Sequence, residues 1–130
     1  MKVHGTFEVK LTLESDAHLT STPVLSRRLL AKQYHGGLEA TAIGEMLSAG
    51  TATQGSAAYS AIEEVNGSLE GRRGTFVLQH TGIMNRGAPS LAITVVPDSG
   101  TGELAGLTGS MSITIEKDGT HYYDFEYSLG

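Results

Sequence analysis

Glu63 and His80 are the two residues of this sequence whose types and spacing best suit proton transfer. Glu63 lies in an alternating stretch on the same phase as Tyr59, Ala61 and Val65, so its carboxylate is expected among apolar side chains. Burial disfavours the charged form, which predicts a pKa raised toward neutrality and a group able to act as general acid or base. His80 is expected on the same face within diagonal reach, where it could share or relay the proton.

Tyrosine hydroxyls are expected to complete this site. Tyr59 and Tyr123 could donate hydrogen bonds to a carbonyl or enolate oxygen and so stabilise developing negative charge. Tyr123 is therefore assigned a catalytic role together with Glu63 and His80. Each residue also has a structural interpretation: a hydrogen-bonded core histidine, an aromatic core residue with its hydroxyl at the rim, or a glutamate that a one-residue bulge turns to solvent. The sequence leaves both interpretations open.

Apolar side chains on the inward phase are expected to enclose a hydrophobic small molecule and to exclude water from the site. Asn85 and His121 join them at the predicted mouth, although Asn85 could simply serve a turn and His121 could simply end a strand. The predicted ligand contacts are Tyr59, Phe76, Leu78, Met84, Asn85, Ile113, His121 and Phe125.

The composition narrows the class of protein. The chain has 130 residues, a net charge of −5 and no cysteine, which predicts one domain over 1–130 and excludes a thiol nucleophile, a zinc finger and disulfides. Its mild acidity without runs of like charge argues against binding to nucleic acid or to an anionic membrane. The five histidines lack ligand spacing, so neither a metal nor a cofactor is predicted. Because no stretch resembles a transmembrane helix or a signal peptide, a cytoplasmic protein is predicted.

Period-two alternation of apolar and polar residues dominates the chain and predicts an all-β fold. Val3 to Leu13 alternate without interruption, and Leu25 to Tyr34 are assigned to a strand although Arg27 to Lys32 could form a short helix. Ser15 to Pro23 are predicted as a polar connector. Eight strands result. Because an open sheet would leave two long edges, the sequence predicts a closed eight-stranded antiparallel barrel, wide enough for packed side chains or one small ligand.

Two hairpins set the predicted register. A two-residue turn at Arg72 and Arg73 pairs Val65 with His80 and keeps all apolar positions on one face. In the last hairpin, a type I′ turn at Asp118-Gly119 would pair apolar residues of one strand with acidic residues of the other. A three-residue loop from Lys117 to Gly119 is therefore preferred.

The third strand, Leu38 to Leu47, leaves its inward face open. Glu39 and Glu45 alternate with small and apolar residues, and either phase could face the lumen. If Glu39 pointed inward, it would replace Glu63 as the preferred carboxylate.

Three stretches of the chain resemble a known family: Tyr34 to Leu47 (YHGGLEATAIGEML), Gly74 to Leu91 (GTFVLQHTGIMNRGAPSL) and Val95 to Met111 (VVPDSGTGELAGLTGSM). They are similar to the bacterial domain-of-unknown-function family of small allene-oxide-cyclase-like barrels. The resemblance covers nearly the whole chain and implies a cyclase-like eight-stranded barrel, often self-associating, with no established reaction. Plant allene oxide cyclases close a reactive fatty-acid epoxide inside such a lumen, but no short motif here carries their active site over residue by residue.

Gly37, Ile43 and Met84 depart from the pattern of that family. Members commonly have an acid at position 37 and a small polar residue at position 84. A polar residue is expected in place of Ile43. Such changes would enlarge the cavity or make it more apolar. They fit either a laboratory-altered variant or a branch with an apolar ligand.

Three functions follow from these observations. The favoured one is a cofactor-free isomerase or lyase of cyclase type, in which a carboxylate of raised pKa moves a proton on a hydrophobic small molecule while tyrosines hold an oxygen. The alternative is a lipocalin-like barrel that binds such a molecule without chemistry. The third is a packed structural module that self-associates through an outer face bearing Ile62 or Val77. A homo-oligomer is predicted.

Overall fold

The computed structural model describes residues 1–18 and 24–130, which form eight strands and one short 3₁₀ helix. The helix spans Gly102–Leu104, between the sixth and seventh strands. In chain order the strands are β1 (Lys2–His18), β2 (Val24–Gly36), β3 (Leu38–Gly50), β4 (Ala57–Leu69), β5 (Arg72–Asn85), β6 (Ala88–Val95), β7 (Leu107–Ile115) and β8 (His121–Leu129).

The eight strands close into a barrel in which every strand pairs antiparallel with its neighbour in sequence and β8 pairs with β1. The predicted all-β, closed eight-stranded antiparallel barrel is therefore confirmed. The junction of β6 and β7 is the shortest, with only the pairs Ile93–Met111 and Thr94–Ser110. As a result, residues 88–92 and 112–115 are not paired with each other.

The second segment is a strand, as predicted, and it is longer than expected because it pairs with β1 and β3 along its whole length. The predicted connector from Ser15 to Pro23 needs a correction. Strand β1 continues to His18, which pairs with Leu25 after two irregularities in the register. The remaining part of that connector, 19–23, lies outside the described residues.

The hairpin between β4 and β5 turns at Glu70 and Gly71, so the prediction of a turn at Arg72 and Arg73 was wrong. Both turn residues have positive φ, 47° for Glu70 and 86° for Gly71, as a two-residue type I′ turn requires, and glycine adopts this conformation without strain. Val65 now faces Phe76 instead of His80. Since the two registers differ by an even number of residues, every side chain keeps the face that was predicted for it.

The last hairpin confirms the three-residue loop. Ile115 pairs with His121, and Ile113 pairs with Tyr123, as the apolar pattern predicts. Gly119 has φ of 90°, and its N–H donates to the carbonyl of Glu116 at 2.9 Å. Here the side-chain pattern outweighs the local turn signal of Asp118-Gly119.

Strand β3 turns its small residues inward and both glutamates outward. Ala40 and Ala42 are buried, while Glu39 and Glu45 are exposed. Glu45 accepts a hydrogen bond from Arg27 on the outer face at 2.6 Å. The question left open by the sequence is thereby resolved, and Glu63 is the inward carboxylate.

A packed apolar core fills the end of the barrel that holds the chain termini. The connector between β6 and β7 contributes to it, since Leu104 of the 3₁₀ helix is buried. Thr101 fastens this connector to β5, because its N–H donates to the carbonyl of Thr75 at 2.8 Å and its hydroxyl accepts from the Thr75 N–H. The core residues include Val3, Phe7, Leu38, Val65, Leu69, Phe76, Leu78, Ile93, Leu107, Met111, Phe125 and Tyr127.

An apolar face remains on the outside of the barrel, around a groove of about 890 Å³. Ile62 and Val77, which the sequence analysis assigns to an outer face, both line it together with Leu29 and Ile43. Ile43 and Ile62 are 67% and 54% exposed. Self-association through this face stays a prediction.

Gly74 provides a test of how the connector closes the barrel. A Cβ added there would lie 2.1 Å from the carbonyl oxygen of Thr101, so Gly74→Ala should lower the free energy of unfolding by about 1–3 kcal/mol, as overpacking does. Gly50→Ala is the matched control, because a Cβ there meets no atom within 4 Å. Urea denaturation of both variants measures the difference, and equal stabilities would contradict the proposed packing.

Candidate functional site

Three polar side chains meet inside the barrel around the carboxylate of Glu63. Lys32 Nζ donates to Glu63 Oε2 at 2.7 Å, and His80 Nε2 lies 2.6 Å from the same oxygen. The hydroxyl of Tyr34 donates to Glu63 Oε1. Glu63 and Tyr34 are fully buried, and Lys32 and His80 are 8% and 3% exposed. We call Lys32, Tyr34, Glu63 and His80 the buried cluster.

The strand registers explain why these four side chains can meet. Lys32 and Tyr34 are two apart on β2 and so share the inward face, while Glu63 lies on β4, with β3 between them. The intervening inward positions of β3 are small, including Ala42 and Gly44. A Cβ at Gly44 would lie 2.7 Å from the Cα of Glu63. Small residues on β3 therefore leave the space that the longer side chains of its neighbours fill.

The pKa of Glu63 moves in the direction opposite to the prediction. Burial alone would raise it toward neutrality, as the sequence suggests, but the hydrogen bond from His80 and the charge of Lys32 lower the pKa to about 2. The prediction was wrong because it treated His80 as sharing a proton with Glu63, whereas the hydrogen bond from His80 favours the anion, and because it did not include Lys32. Glu63 is thus an ionised hydrogen-bond acceptor at neutral pH and is unsuited to be the general acid of the site.

An ionised Glu63 fixes the protons of its neighbours. A carboxylate can only accept hydrogen bonds, so Nε2 of His80 must carry a hydrogen, and in the neutral ring Nδ1 then holds the free lone pair. Burial and the Glu63 charge raise the pKa of Tyr34 far above its ordinary value, which keeps this hydroxyl protonated. Lys32 Nζ also lies 5.0 Å from the centroid of the Phe7 ring, a distance suited to a cation–π contact.

A cavity of about 660 Å³ opens at the opposite end of the barrel from the packed core. Its walls come from strands β2 to β7, largely from inward positions, and most of them are apolar. We call it the mouth cavity. Its lining includes Ser26, Arg28, Met46, Ser48, Ala57, Tyr59, Gly82, Met84, Pro89, Leu91 and Ile115.

Tyr59 separates the mouth cavity from the buried cluster. It pairs with Gly82, and its ring lies over that residue, since a Cβ at Gly82 would be 2.2 Å from a ring carbon of Tyr59. At the next inward-facing pair toward the packed core, Ala61 faces His80. Burial and the nearby charge of Glu63 raise the pKa of Tyr59. The cluster therefore lies one layer below the floor of the cavity.

The structure brings together Glu63 and His80 as expected, although from a different register. Glu63 pairs with Leu78, so His80 is its diagonal neighbour. The hydroxyl of Tyr123, which was also assigned a catalytic role, is directed elsewhere. It accepts from the N–H of Leu38 at 3.0 Å and lies 2.9 Å from the carbonyl of His35. It therefore clamps the turn between β2 and β3, and the hydroxyl that reaches Glu63 belongs to Tyr34.

The predicted ligand contacts divide between the cavity and the core. Tyr59 and Met84 line the mouth cavity. Phe76, Leu78 and Phe125 are buried in the packed core instead, because their inward positions lie at the filled end of the barrel.

Three other predicted contacts lie outside the lining of the mouth cavity. Ile113 packs against the core, and the ring of His121 lies 5.1 Å from that of Phe7. Asn85 is exposed at the tip of the β5–β6 hairpin, where it pairs with Ala88.

The three residues that depart from the family pattern lie in different parts of the barrel. Met84 lines the mouth cavity, as expected. Ile43 is exposed on the outer face, so it does not enlarge the lumen. Gly37 lies in the β2–β3 turn against Val3, whose Cβ would be 2.5 Å from a Cβ added at Gly37. An acid at that position would need Val3 to shift.

Sequence reasoning missed Lys32, Tyr34 and Arg28, three inward residues of β2. The signal was present, since alternation along a strand from Leu25 to Tyr34 places all three on one face. The basic residues of that stretch made a short helix seem possible, and this obscured their common orientation.

Neither a metal cluster nor a spanning helix is found among the residues that the structure describes. No group of three or more histidine, cysteine, aspartate or glutamate side chains there could hold a metal ion. No helix in the same part of the chain is long and apolar enough to cross a membrane.

Comparison with known proteins gives a family and a close structural relative. The family model described as "Protein of unknown function (DUF3224)" matches residues 3–127. The chain belongs to the DUF3224 family. The crystal structure of a DUF3224 protein of unknown function from Shewanella oneidensis MR-1 matches with a TM-score of 0.94 and 50% sequence identity, over 100% of this chain and 98% of that chain. A search of curated proteins gives no match.

These matches confirm the domain-of-unknown-function family and the barrel, and they carry no statement about a reaction or a relation to allene oxide cyclases. In this DUF3224 protein the stretches that carried the resemblance have physical roles. Tyr34 to Leu47 contain Tyr34 of the buried cluster and the small residues of β3. Val95 to Met111 contain the connector that closes the barrel.

Removing the charge of Glu63 should destabilise the barrel strongly. Glu63→Gln leaves the ammonium of Lys32 buried without a countercharge, which is expected to lower the free energy of unfolding by about 3–5 kcal/mol. The matched control is Glu45→Gln, which breaks the exposed pair with Arg27 and should cost less than about 1 kcal/mol. Chemical denaturation at pH 7 compares the two. Similar losses in both variants would contradict the assigned role of the cluster.

Proposed function

We propose that this DUF3224 barrel binds a small hydrophobic molecule in the mouth cavity without transforming it. The observation that carries the proposal is the cavity itself. Its volume of about 660 Å³ falls within the roughly 300–1,000 Å³ that small-molecule sites occupy. One end of the barrel has a packed core, so an open and apolar other end is not required by folding.

Exposed apolar side chains at this end support the proposal. Met84, Leu91 and Ile115 line the cavity and are 39%, 44% and 64% exposed. An apolar patch that stays in contact with water is often a binding site, because a ligand that covers it gains the hydrophobic free energy that folding has left unused. The stretches of β6 and β7 that are not paired with each other border the same place and offer a path of entry.

A neutral fluorescent probe tests this function. N-phenyl-1-naphthylamine should bind the wild-type protein with an increase in emission, and Met84→Lys should weaken its binding by about tenfold or more, because it places a charge on the apolar wall. Thr81→Lys, on the exposed outer face of the same strand, is the control and should bind like the wild type. Wild-type protein that leaves the emission of the probe unchanged would overturn the proposal.

Proton transfer by a cofactor-free isomerase or lyase is the second candidate. The observation that favours it is the buried cluster, in which Glu63 holds His80 by Nε2 at 2.6 Å. Nδ1 of His80 makes no hydrogen bond to a described residue. His80 lies one layer below the cavity floor, so a bound molecule that displaces the Tyr59 ring could give a proton to this nitrogen. The resemblance to allene-oxide-cyclase-like barrels suggests an isomerase of cyclase type.

Deuterium exchange can test this candidate without knowledge of the natural substrate. If His80 acts as a base on a bound carbonyl compound, the α-protons of 2-octanone in D2O should exchange faster with wild-type protein than in buffer, as NMR measures. His80→Gln should return the rate to that of buffer. His4→Gln, at an exposed position paired with Asp124, should keep the wild-type rate. Exchange with wild-type protein at the buffer rate would argue for binding alone.

A further inference from the structure

The mouth cavity has a polar wall and an apolar wall on opposite sides. Arg28 on β2 donates to the hydroxyls of Ser26 at 2.8 Å and Ser48 at 3.3 Å, and these two hydroxyls lie 2.6 Å apart. The other side is formed by Met84, Leu91 and neighbouring residues of β5 to β7. A ligand that fills the cavity therefore meets a cation and two hydroxyls at one end and hydrocarbon at the other.

Arg28 is the one charged residue among the described residues that line the cavity. Its side chain is half-buried, and its hydrogen-bond partners among the described residues are neutral. A guanidinium in a mostly apolar site is costly unless an anion compensates it. Ser26 and Ser48 accept from the guanidinium, and because one of their hydroxyls donates to the other, one hydroxyl hydrogen of the pair is left to donate to a ligand.

We propose that the mouth cavity binds a monocarboxylic acid with an apolar chain, its carboxylate on Arg28, Ser26 and Ser48 and its chain along Met84 and Leu91. This inference rests on the proposed binding function and names its ligand class. The planar guanidinium matches the two oxygens of a carboxylate. A single cation also balances one negative charge, which favours a carboxylate over a doubly charged phosphate.

Displacement of N-phenyl-1-naphthylamine by octanoate and by 1-octanol at pH 7 tests the carboxylate assignment. The two competitors have the same chain length and differ in the charged head group. Octanoate should displace the probe from wild-type protein at about tenfold lower concentration than octanol, the size expected for a hydrogen bond to a charged group. Arg28→Met should remove this preference, so that octanoate and octanol displace the probe at similar concentrations.

Arg27→Met is the matched control, because Arg27 is the neighbouring residue on the outer face and pairs with Glu45. It should keep the wild-type preference for octanoate. Equal displacement by octanoate and octanol in wild-type protein, or an unchanged preference in Arg28→Met, would overturn the carboxylate assignment and leave the binding function in place. Failure of the wild-type protein to bind the probe would instead overturn the binding function, and this inference with it.

Discussion

The ion pair between Glu63 and Lys32 is the interaction on which the interior of this barrel depends. Two opposite charges are taken out of water here, which is costly unless each finds a close partner and the remaining hydrogen-bonding positions are filled. On the carboxylate of Glu63, Tyr34 and His80 occupy these remaining hydrogen-bonding positions. The cluster links β2, β4 and β5 across the lumen, and it can form only because β3 presents small residues between them.

The cluster also divides the barrel into two parts with different tasks. On one side, aromatic and branched residues fill the lumen and the connector after β6 closes it. On the other side, the inward positions change to Arg28, two serines and exposed apolar residues, and the lumen opens to water. A packed layer beneath an open cavity suits the proposed binding site, since a ligand need not order the protein below it.

Much of this architecture could be predicted from alternation alone. The inward face of β4 and β5 was predicted correctly even though the turn was misplaced, because an even shift in register preserves the face of every residue. The position of Glu63 followed from the same rule. Its charge state did not, since the pKa depends on the hydrogen bond that His80 donates and on the charge of Lys32, which reaches Glu63 across another strand. The division between core and cavity also escaped prediction. Phe76 and Met84 share one phase of one strand, and alternation does not tell which end of that strand is packed and which is open.

The state of the Glu63 carboxylate is therefore the property that tests the account most directly. Carbon-13 NMR of the side-chain carboxyl group, followed from pH 7 downward in the folded protein, reports its ionisation. The account predicts that this carbon keeps the shift of a carboxylate through the range near 4.5 where glutamate ordinarily titrates, with a pKa well below that value. A midpoint at or above the ordinary value would show that Glu63 is not held as an anion by Lys32 and His80, and would contradict the account.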